Sequence, residues 1–307
     1  MSKAGPPLDR QKEKPRILCF GEVLWDCVGD TRHPGGALLN VAYHLHQMGC
    51  EARIVSAVGR DAAGDEMLAY LKSRGLSTEF VQRHPTLPTS SVDIVLEDGH
   101  ADYTIHEHVA WDDLQPDEAV IRAARESHAI IYGTLASRRE TTRQTLEALL
   151  EIEGPLRIID VNLRPPFDDR ARVFDLARKA DWIKLNEGEV EKLTGHSVAP
   201  GHLPEAVSTL NALTGVKRIC VTQGERGATA WDHLNVFHEP SPKVQVCDTI
   251  GAGDAFTAAF TYGVLTEPVA THLPAILRRA NRLGSIVASL PGGQPEYPAP
   301  PSSIEPA

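Results

Sequence analysis

The sequence predicts an α/β fold, a mostly parallel central sheet flanked by helices and carrying a small β lid. Short apolar runs of strand length alternate with segments whose apolar residues recur at helical spacing, which is the rhythm of βαβ units. A single segment breaks that rhythm by alternating apolar and polar residues around an Asp-Gly pair. A chain of 307 residues with 42% hydrophobic residues can also bury the large core such a fold needs.

Taken in order, residues 1–15 (MSKAGPPLDRQKEKP) are polar, lack the apolar centre of a signal peptide and are expected to form a mobile tail. Residues 16–20 (RILCF) and 52–58 (ARIVSAV) are predicted strands, with a helix over 39–48 between them. The pattern recurs as a strand over 128–133 (HAIIYG), a helix over 141–152, a strand over 156–162 (LRIIDVN), a helix near 170–179, and strands over 181–186 (DWIKLN) and 217–224 (KRICVTQG). Segment 91–106 (SVDIVLEDGHADYTIH) predicts an antiparallel hairpin turning at Asp98-Gly99. From pattern alone such a hairpin at the carboxyl end of the sheet reads equally as a lid or as surface decoration; as a lid, it would have a second strand near 26–34. A further helix is expected to begin near Leu277. The proline-rich end PGGQPEYPAPPSSIEPA precludes a regular helix and suggests an extended tail. One folded unit is therefore expected over 16–299, its lid drawn from about 26–34 and 90–109, with a tail over 300–307.

The net charge of −10 argues against a broad nucleic-acid or anionic-membrane surface and leaves a small molecule as the expected partner. The five cysteines are odd in number and show no C-x-x-C spacing, so neither a disulfide framework nor a zinc site is indicated, and a reducing cytoplasm fits. No apolar run approaches the roughly 18 residues of a membrane span.

The stretch CDTIGAGDAFTAAF (247–260) carries the chemistry. It is neither a Walker A loop nor a dinucleotide-binding fingerprint, because the lysine of the first and the third small residue of the second are missing. What remains is Gly251-Ala252-Gly253 opening a helix, where unpaired amides and the helix dipole favour an anion, with the carboxylate of Asp254 at the rim. By itself such a motif is more often a capped turn than a catalytic site.

In context, Asp248-Thr249-Ile250-Gly251-Ala252-Gly253-Asp254 resembles the D-T-x-G-A-G-D signature of the ribokinase-like, or PfkB, carbohydrate kinases. Gly35-Gly36-Ala37-Leu38-Leu39-Asn40 resembles the family's N-terminal signature, with leucine at 38 where many members carry proline. Gly21-Glu22-Val23-Leu24-Trp25-Asp26 is similar to its first strand, which ends in a sugar-binding aspartate. The matches run in family order over roughly residues 16–297.

The resemblance implies ATP-dependent phosphorylation of a primary sugar hydroxyl. Asp254 is then the general base, and the amides of Gly251, Ala252 and Gly253 stabilise charge on the transferring phosphoryl group. Asp26, Gly35, Gly36 and Asn40 bind the sugar. Asp160-Val161-Asn162-Leu163-Arg164-Pro165 resembles the D-x-N-x-R-P of the fructokinase and 2-keto-3-deoxygluconate kinase branch, which implies a substrate role for Arg164. Asn186-Glu187-Gly188-Glu189 resembles the N-x-x-E associated with Mg²⁺, which implies that Glu189 acts on the metal through water. Thr222-Gln223-Gly224-Glu225-Arg226-Gly227 resembles the T-x-G-x-x-G turn that carries the nucleotide, which implies nucleotide contacts for Asn186, Thr222, Gly224 and Gly227, and Asn281 falls at an adenine-contact position. Asp248 resembles a ligand of the family's monovalent-cation site, so K⁺ joins ATP and Mg²⁺ among the implied cofactors.

Bacterial fructokinases are the most similar branch, which makes fructose the expected sugar. 2-Keto-3-deoxygluconate, ribose and a catalytically silent sugar or nucleotide sensor are the alternatives. Lid hairpins of this family often pair across a homodimer, although monomers exist, and the sequence leaves the oligomeric state open.

Overall fold

The computed structural model describes residues 13–97, 100–199, 201–233 and 235–297. In chain order, β1 (Arg16–Phe20) runs to β2 (Leu24–Val28), β3 (Thr31–Gly35), α1 (Ala37–Gln47), β4 (Glu51–Gly59), α2 (Ala62–Ser73) and β5 (Val81–His84). Strands β6 (Ser90–Glu97) and β7 (His100–Ile105) follow, then α3 (Glu118–Glu126), β8 (Ala129–Tyr132), α4 (Glu140–Leu150), β9 (Leu156–Asp160), α5 (Arg170–Arg178) and β10 (Trp182–Asn186). The chain closes with α6 (Glu187–Thr194), α7 (Leu203–Thr214), β11 (Arg218–Thr222), β12 (Ala228–Asp232), β13 (Asn235–Glu239), α8 (Ala252–Thr266) and α9 (Val269–Ala288).

The main sheet has the order β13-β12-β11-β10-β9-β8-β1-β4-β5. It is parallel from β11 to β5, and only β12 and β13 run antiparallel at one edge. Successive side chains of a strand point to opposite faces, so a strand covered on both faces must be apolar at every position. In β1, Leu18 and Phe20 enter the core shared with Val120, Leu146, Val173 and Leu210 of α3, α4, α5 and α7. Ile17 and Cys19 enter the opposite core with Leu38, Met67, Phe256 and Leu273 of α1, α2, α8 and α9. The continuous apolar runs of the sequence are thus the strands of a three-layer α/β/α sandwich.

The lid is a separate sheet of order β3-β2-β6-β7. Its two hairpins are internally antiparallel and join through a parallel β2–β6 pair. The predicted hairpin therefore uses the predicted second lid strand as its neighbour. Its turn at Asp98-Gly99 lies outside the described residues. The lid is tied down where Trp25 Nε1 donates to the Ala63 carbonyl at 3.0 Å. Asp61 takes both the amide (2.8 Å) and the hydroxyl (2.6 Å) of Thr89 just before β6.

Three expectations are corrected. The last helix begins at Val269 rather than near Leu277, because the apolar face formed by Leu273, Ile276, Leu277 and Ala280 packs into the core and carries the helix through Pro274, its sixth residue. Of the expected N-terminal tail, residues 1–12 lie outside the described residues, but the Pro15 carbonyl already accepts from Glu51 N at 2.8 Å. The described part of the proline-rich end, residues 291–297, is not helical, yet Gly292–Tyr297 is fastened across α1 and α2. Tyr43 Oη donates to the Pro295 carbonyl at 2.9 Å and Arg74 Nη2 to that of Gln294 at 3.2 Å. Residues 300–307 lie outside the described residues. Among the described residues no helix is long and apolar enough to cross a membrane.

Candidate active site

From β1 the chain builds outward to β4 and β5, and from β8 it builds the other way to β11, so strand order reverses between β1 and β8. Ligands of open α/β sheets bind outside the carboxyl ends of the strands at such a reversal. Gly21 and Glu22 follow β1 there. Gly36 caps α1 without a side chain, and Glu22 Oε1 fills that role by accepting from Ala37 N at 3.0 Å. Glu22 is buried, and burial pushes its carboxyl pKa upward.

Asp26 stands on β2 opposite His33 of β3. A Cβ at residue 35 would lie 2.1 Å from Asp26 Oδ2, so a side chain there would displace the carboxylate from this position. Burial pushes the Asp26 pKa up to about 6, against the opposing pull of Arg164 and then His33. Arg164 follows β9 on a bend where Asn162 adopts φ 42°, a left-handed conformation that asparagine tolerates. The guanidinium is exposed, and its positive charge acts on Asp26, Glu22 and Asp254 alike.

Asp254 lies in the first turn of α8, whose N-cap is Gly251 at φ 74° with no side-chain cap. A side chain at 251 would drive its Cβ to 2.4 Å from Gly293 Cα, so the turn demands glycine for both space and conformation. The Ala252 N–H leans on the Thr249 carbonyl at 3.3 Å. Asn40 Nδ2 donates to Asp254 Oδ2 at 2.8 Å. Burial, then the negative charge of Asp160, push the Asp254 pKa up to about 7, although Asn40, Lys184 and Arg164 favour the ionised form.

Beneath this turn lies a buried polar cluster. Lys184 Nζ donates to both oxygens of Asp160 at 3.0 Å, and Thr257 Oγ1 donates to Asp160 Oδ2 at 2.6 Å. A Cβ on Gly253 would be 3.4 Å from Lys184 Nζ, so the ammonium sits directly under the Gly251–Gly253 turn. Burial disfavours its charge, but Asp160 and then Glu189 outweigh that and raise its pKa.

At the adjoining strand ends, Asn186 and Glu189 form a reciprocal capping box on α6. Glu189 Oε2 accepts from Asn186 N at 2.8 Å and Oε1 from Leu163 N at 2.8 Å. Glu189 thereby fixes the loop that carries Arg164. Thr222 ends β11, and Gly224 and Gly227 follow with φ of 59° and 101°. Asp248 Oδ1 accepts from Ile250 N at 2.9 Å and Oδ2 from Gly292 N at 3.2 Å. Asn281 is buried in α9, where its amide donates to the Glu239 carbonyl at 2.7 Å and holds the end of β13.

This geometry agrees with what comparison with known proteins shows. The model of the pfkB family of carbohydrate kinases matches residues 8–300. The chain belongs to that family. A curated fructokinase of Rhizobium leguminosarum bv. trifolii is 28% identical, over 79% of this chain and 77% of its own. The crystal structure of a fructokinase with bound ATP from Xylella fastidiosa superposes with a TM-score of 0.79 at 21% identity, covering 91% of this chain and 93% of the other. A fructokinase double mutant of Vibrio cholerae O395 bound to fructose, ADP and potassium ion gives a TM-score of 0.78 at 21% identity, covering 91% and 94%. All three are named fructokinases.

In this carbohydrate kinase the fold brings Asn40 against Asp254 and Gly35 against Asp26, with the charge of Arg164 acting on both acids, while Gly36 opens α1 and Gly251, Ala252 and Gly253 open α8. It sets Asn186, Glu189, Thr222, Gly224 and Gly227 along the next strand ends. Asn281 lies on α9 with its Nδ2 on the Glu239 carbonyl. Sequence reasoning missed Lys184, Glu22 and Thr257. A signal existed for Lys184, since a lysine inside the apolar run WIKLN has to find a buried partner.

Proposed function

We propose that this carbohydrate kinase transfers the γ-phosphoryl group of ATP to a primary hydroxyl of fructose, with Asp254 as general base. The observation that carries the reading is the placement of Asp254. It is a carboxylate whose pKa is pushed up to about 7, at the mouth of an uncapped helix turn and directly over a buried lysine. A base poised near neutral pH takes a hydroxyl proton most effectively.

The sugar hydroxyl gives its proton to Asp254 as its oxygen attacks the γ-phosphorus. The bond from that phosphorus to the bridging oxygen breaks, and ADP departs with the electron pair. The amides of Gly251, Ala252 and Gly253, with Lys184 below, meet the charge carried by the phosphoryl oxygens. Asp26 and Asn40 hold the sugar hydroxyls, and Arg164 bridges the acids to the phosphoryl path. Asn186, Thr222, Gly224 and Gly227 hold the nucleotide. Mg²⁺ supplies charge neutralisation on the phosphates. The carboxylate of Glu189 suits contact with it through water, since both oxygens are already engaged by amides. Asp248 and nearby carbonyls suit a monovalent cation.

The acids on the sugar side favour a neutral sugar. A keto-deoxy acid would bring its carboxylate toward Asp26, Glu22 and Asp254, and Arg164 is the cation whose charge reaches all three. Half-exposed Tyr103 on β7 supports pairing of lids across a homodimer, and five free thiols support a reducing cytoplasm. Incubation with ATP, Mg²⁺ and separate samples of fructose, ribose and 2-keto-3-deoxygluconate, read by ADP release, tests the assignment. Fructose gives the highest kcat/KM; stimulation by the keto-deoxy acid alone contradicts it.

A further inference from the structure

Asn40 does more than face the crevice. Its Nδ2 donates to Asp254 Oδ2 at 2.8 Å, while its Oδ1 accepts from Gln294 Nε2 at 2.8 Å. Gln294 Oε1 in turn accepts from Tyr70 Oη at 2.7 Å. The polarity of this chain follows from its end. An ionised carboxylate only accepts, so Asn40 must present its NH₂ group to Asp254 and its oxygen to Gln294. Gln294 must then present its own NH₂ group to Asn40, which leaves an oxygen that only a donor can satisfy, and Tyr70 supplies one.

The backbone around Gln294 is held without its side chain. Tyr43 Oη donates to the Pro295 carbonyl, Arg74 Nη2 to the Gln294 carbonyl, and His44 Nε2 lies 3.0 Å from the Gly293 carbonyl. The amide side chain is thus free to serve the relay rather than the strap.

We propose that Gln294 is a positioning residue for the base. With Tyr70 it locks Asn40 in the orientation that donates to ionised Asp254, and so sets the pH at which the base becomes competent. The proposal rests on the reading of Asp254 as base. The other charged groups facing Asp254 are Asp160 at the end of β9, Lys184 on β10 and Arg164 after β9. None touches Gln294, so its substitution leaves them in place.

The test is the pH profile of kcat for the wild type, Gln294→Met, Tyr70→Phe and Tyr43→Phe, with the sugar that gives the highest kcat/KM. Loss of one oriented neutral hydrogen bond to the ionised base moves the acid limb of Gln294→Met up by about half to one pH unit. One unit below the wild-type limb, kcat falls about three- to tenfold, and at pH 9 it stays within about twofold of wild type. Tyr70→Phe, which leaves the Gln294–Asn40 bond in place, moves the limb the same way by less. It also keeps the test open if Gln294→Met folds poorly. Tyr43→Phe removes a hydrogen bond of the strap and lowers Tm, with the limb unmoved. A limb in Gln294→Met and Tyr70→Phe that coincides with wild type, or a kcat lowered by the same factor at every pH, overturns the relay. Failure of the base assignment itself is seen separately, as retained kcat in Asp254→Asn.

Discussion

Asp254→Asn should make this enzyme more stable and nearly inactive. The folded-state pKa of Asp254 is pushed up to about 7 from an ordinary value of 3.8, chiefly by burial. The unfolded chain therefore loses this proton near pH 4 while the folded protein keeps it until near pH 7. Across that window stability falls with rising pH, because the unfolded state binds fewer protons; below pH 4 no penalty exists, and above pH 7 it is complete. A gap of about three pH units corresponds to an upper value of ~4 kcal/mol at 1.36 kcal/mol per unit. Asp254 is only partly buried by surface area, so solvent screening reduces this to ~2 kcal/mol. Asparagine removes the charge and keeps an oxygen for the Asn40 donor, so the variant should gain ~2 kcal/mol at pH 8, or ~4 °C in Tm. At pH 4 the two proteins should melt together. The same substitution removes the proton acceptor and lowers kcat by at least ~10²-fold. Thermal melts at pH 4 and pH 8 with steady-state kinetics check both halves. Equal Tm at pH 8 would refute the desolvated carboxylate, and more than a third of wild-type kcat would refute the base.

Three further outcomes are expected. The kcat/KM of the wild type should rise with pH through about 7 as Asp254 ionises, falling ~tenfold per unit below that point; a flat profile between pH 5.5 and 8 contradicts this. Arg164→Ala should lower kcat/KM for the preferred sugar by ~10- to ~100-fold, since a charge-assisted hydrogen bond is worth ~1.5–3 kcal/mol, and unchanged kinetics on every sugar would place Arg164 outside the reaction path. Replacing residues 92–105 with a short Gly/Ser linker should leave the main sheet folded, because the lid is a separate sheet, while sugar KM rises and more ATP is hydrolysed per sugar phosphorylated. Unchanged KM and coupling in that folded variant would make the lid decorative.

Much of this was legible because local pattern and global role coincide. Ile17, Leu18, Cys19 and Phe20 are all buried, as any strand between two helical layers must be, so RILCF could be read at sight. Gly251 and Gly35 stand where the backbone passes within contact of other atoms, so their glycines could be read from the sequence as close-approach positions. What escaped reading depends on distant partners. Pro274 looks like a helix boundary until α9 is seen to carry it. The partner of the Asn281 amide, the Glu239 carbonyl that ends β13, lies 42 residues earlier in the chain. The strands β12 and β13 form an antiparallel edge that a βαβ rhythm does not announce. Gln294 lies in a proline-rich end whose docking depends on Tyr43, Tyr70 and Arg74, more than 200 residues earlier in the chain.

The most direct test of the central claim is a mixing experiment in which enzyme with ATP and Mg²⁺ meets excess fructose, and the sugar phosphate and ADP are quantified together in wild type and Asp254→Asn. The wild type should form one phosphate ester at a primary hydroxyl for each ADP released. In the variant both products should form at least ~10²-fold more slowly while ATP and fructose still bind. ADP release that is indifferent to fructose, or product formed at comparable rates by both proteins, would contradict it.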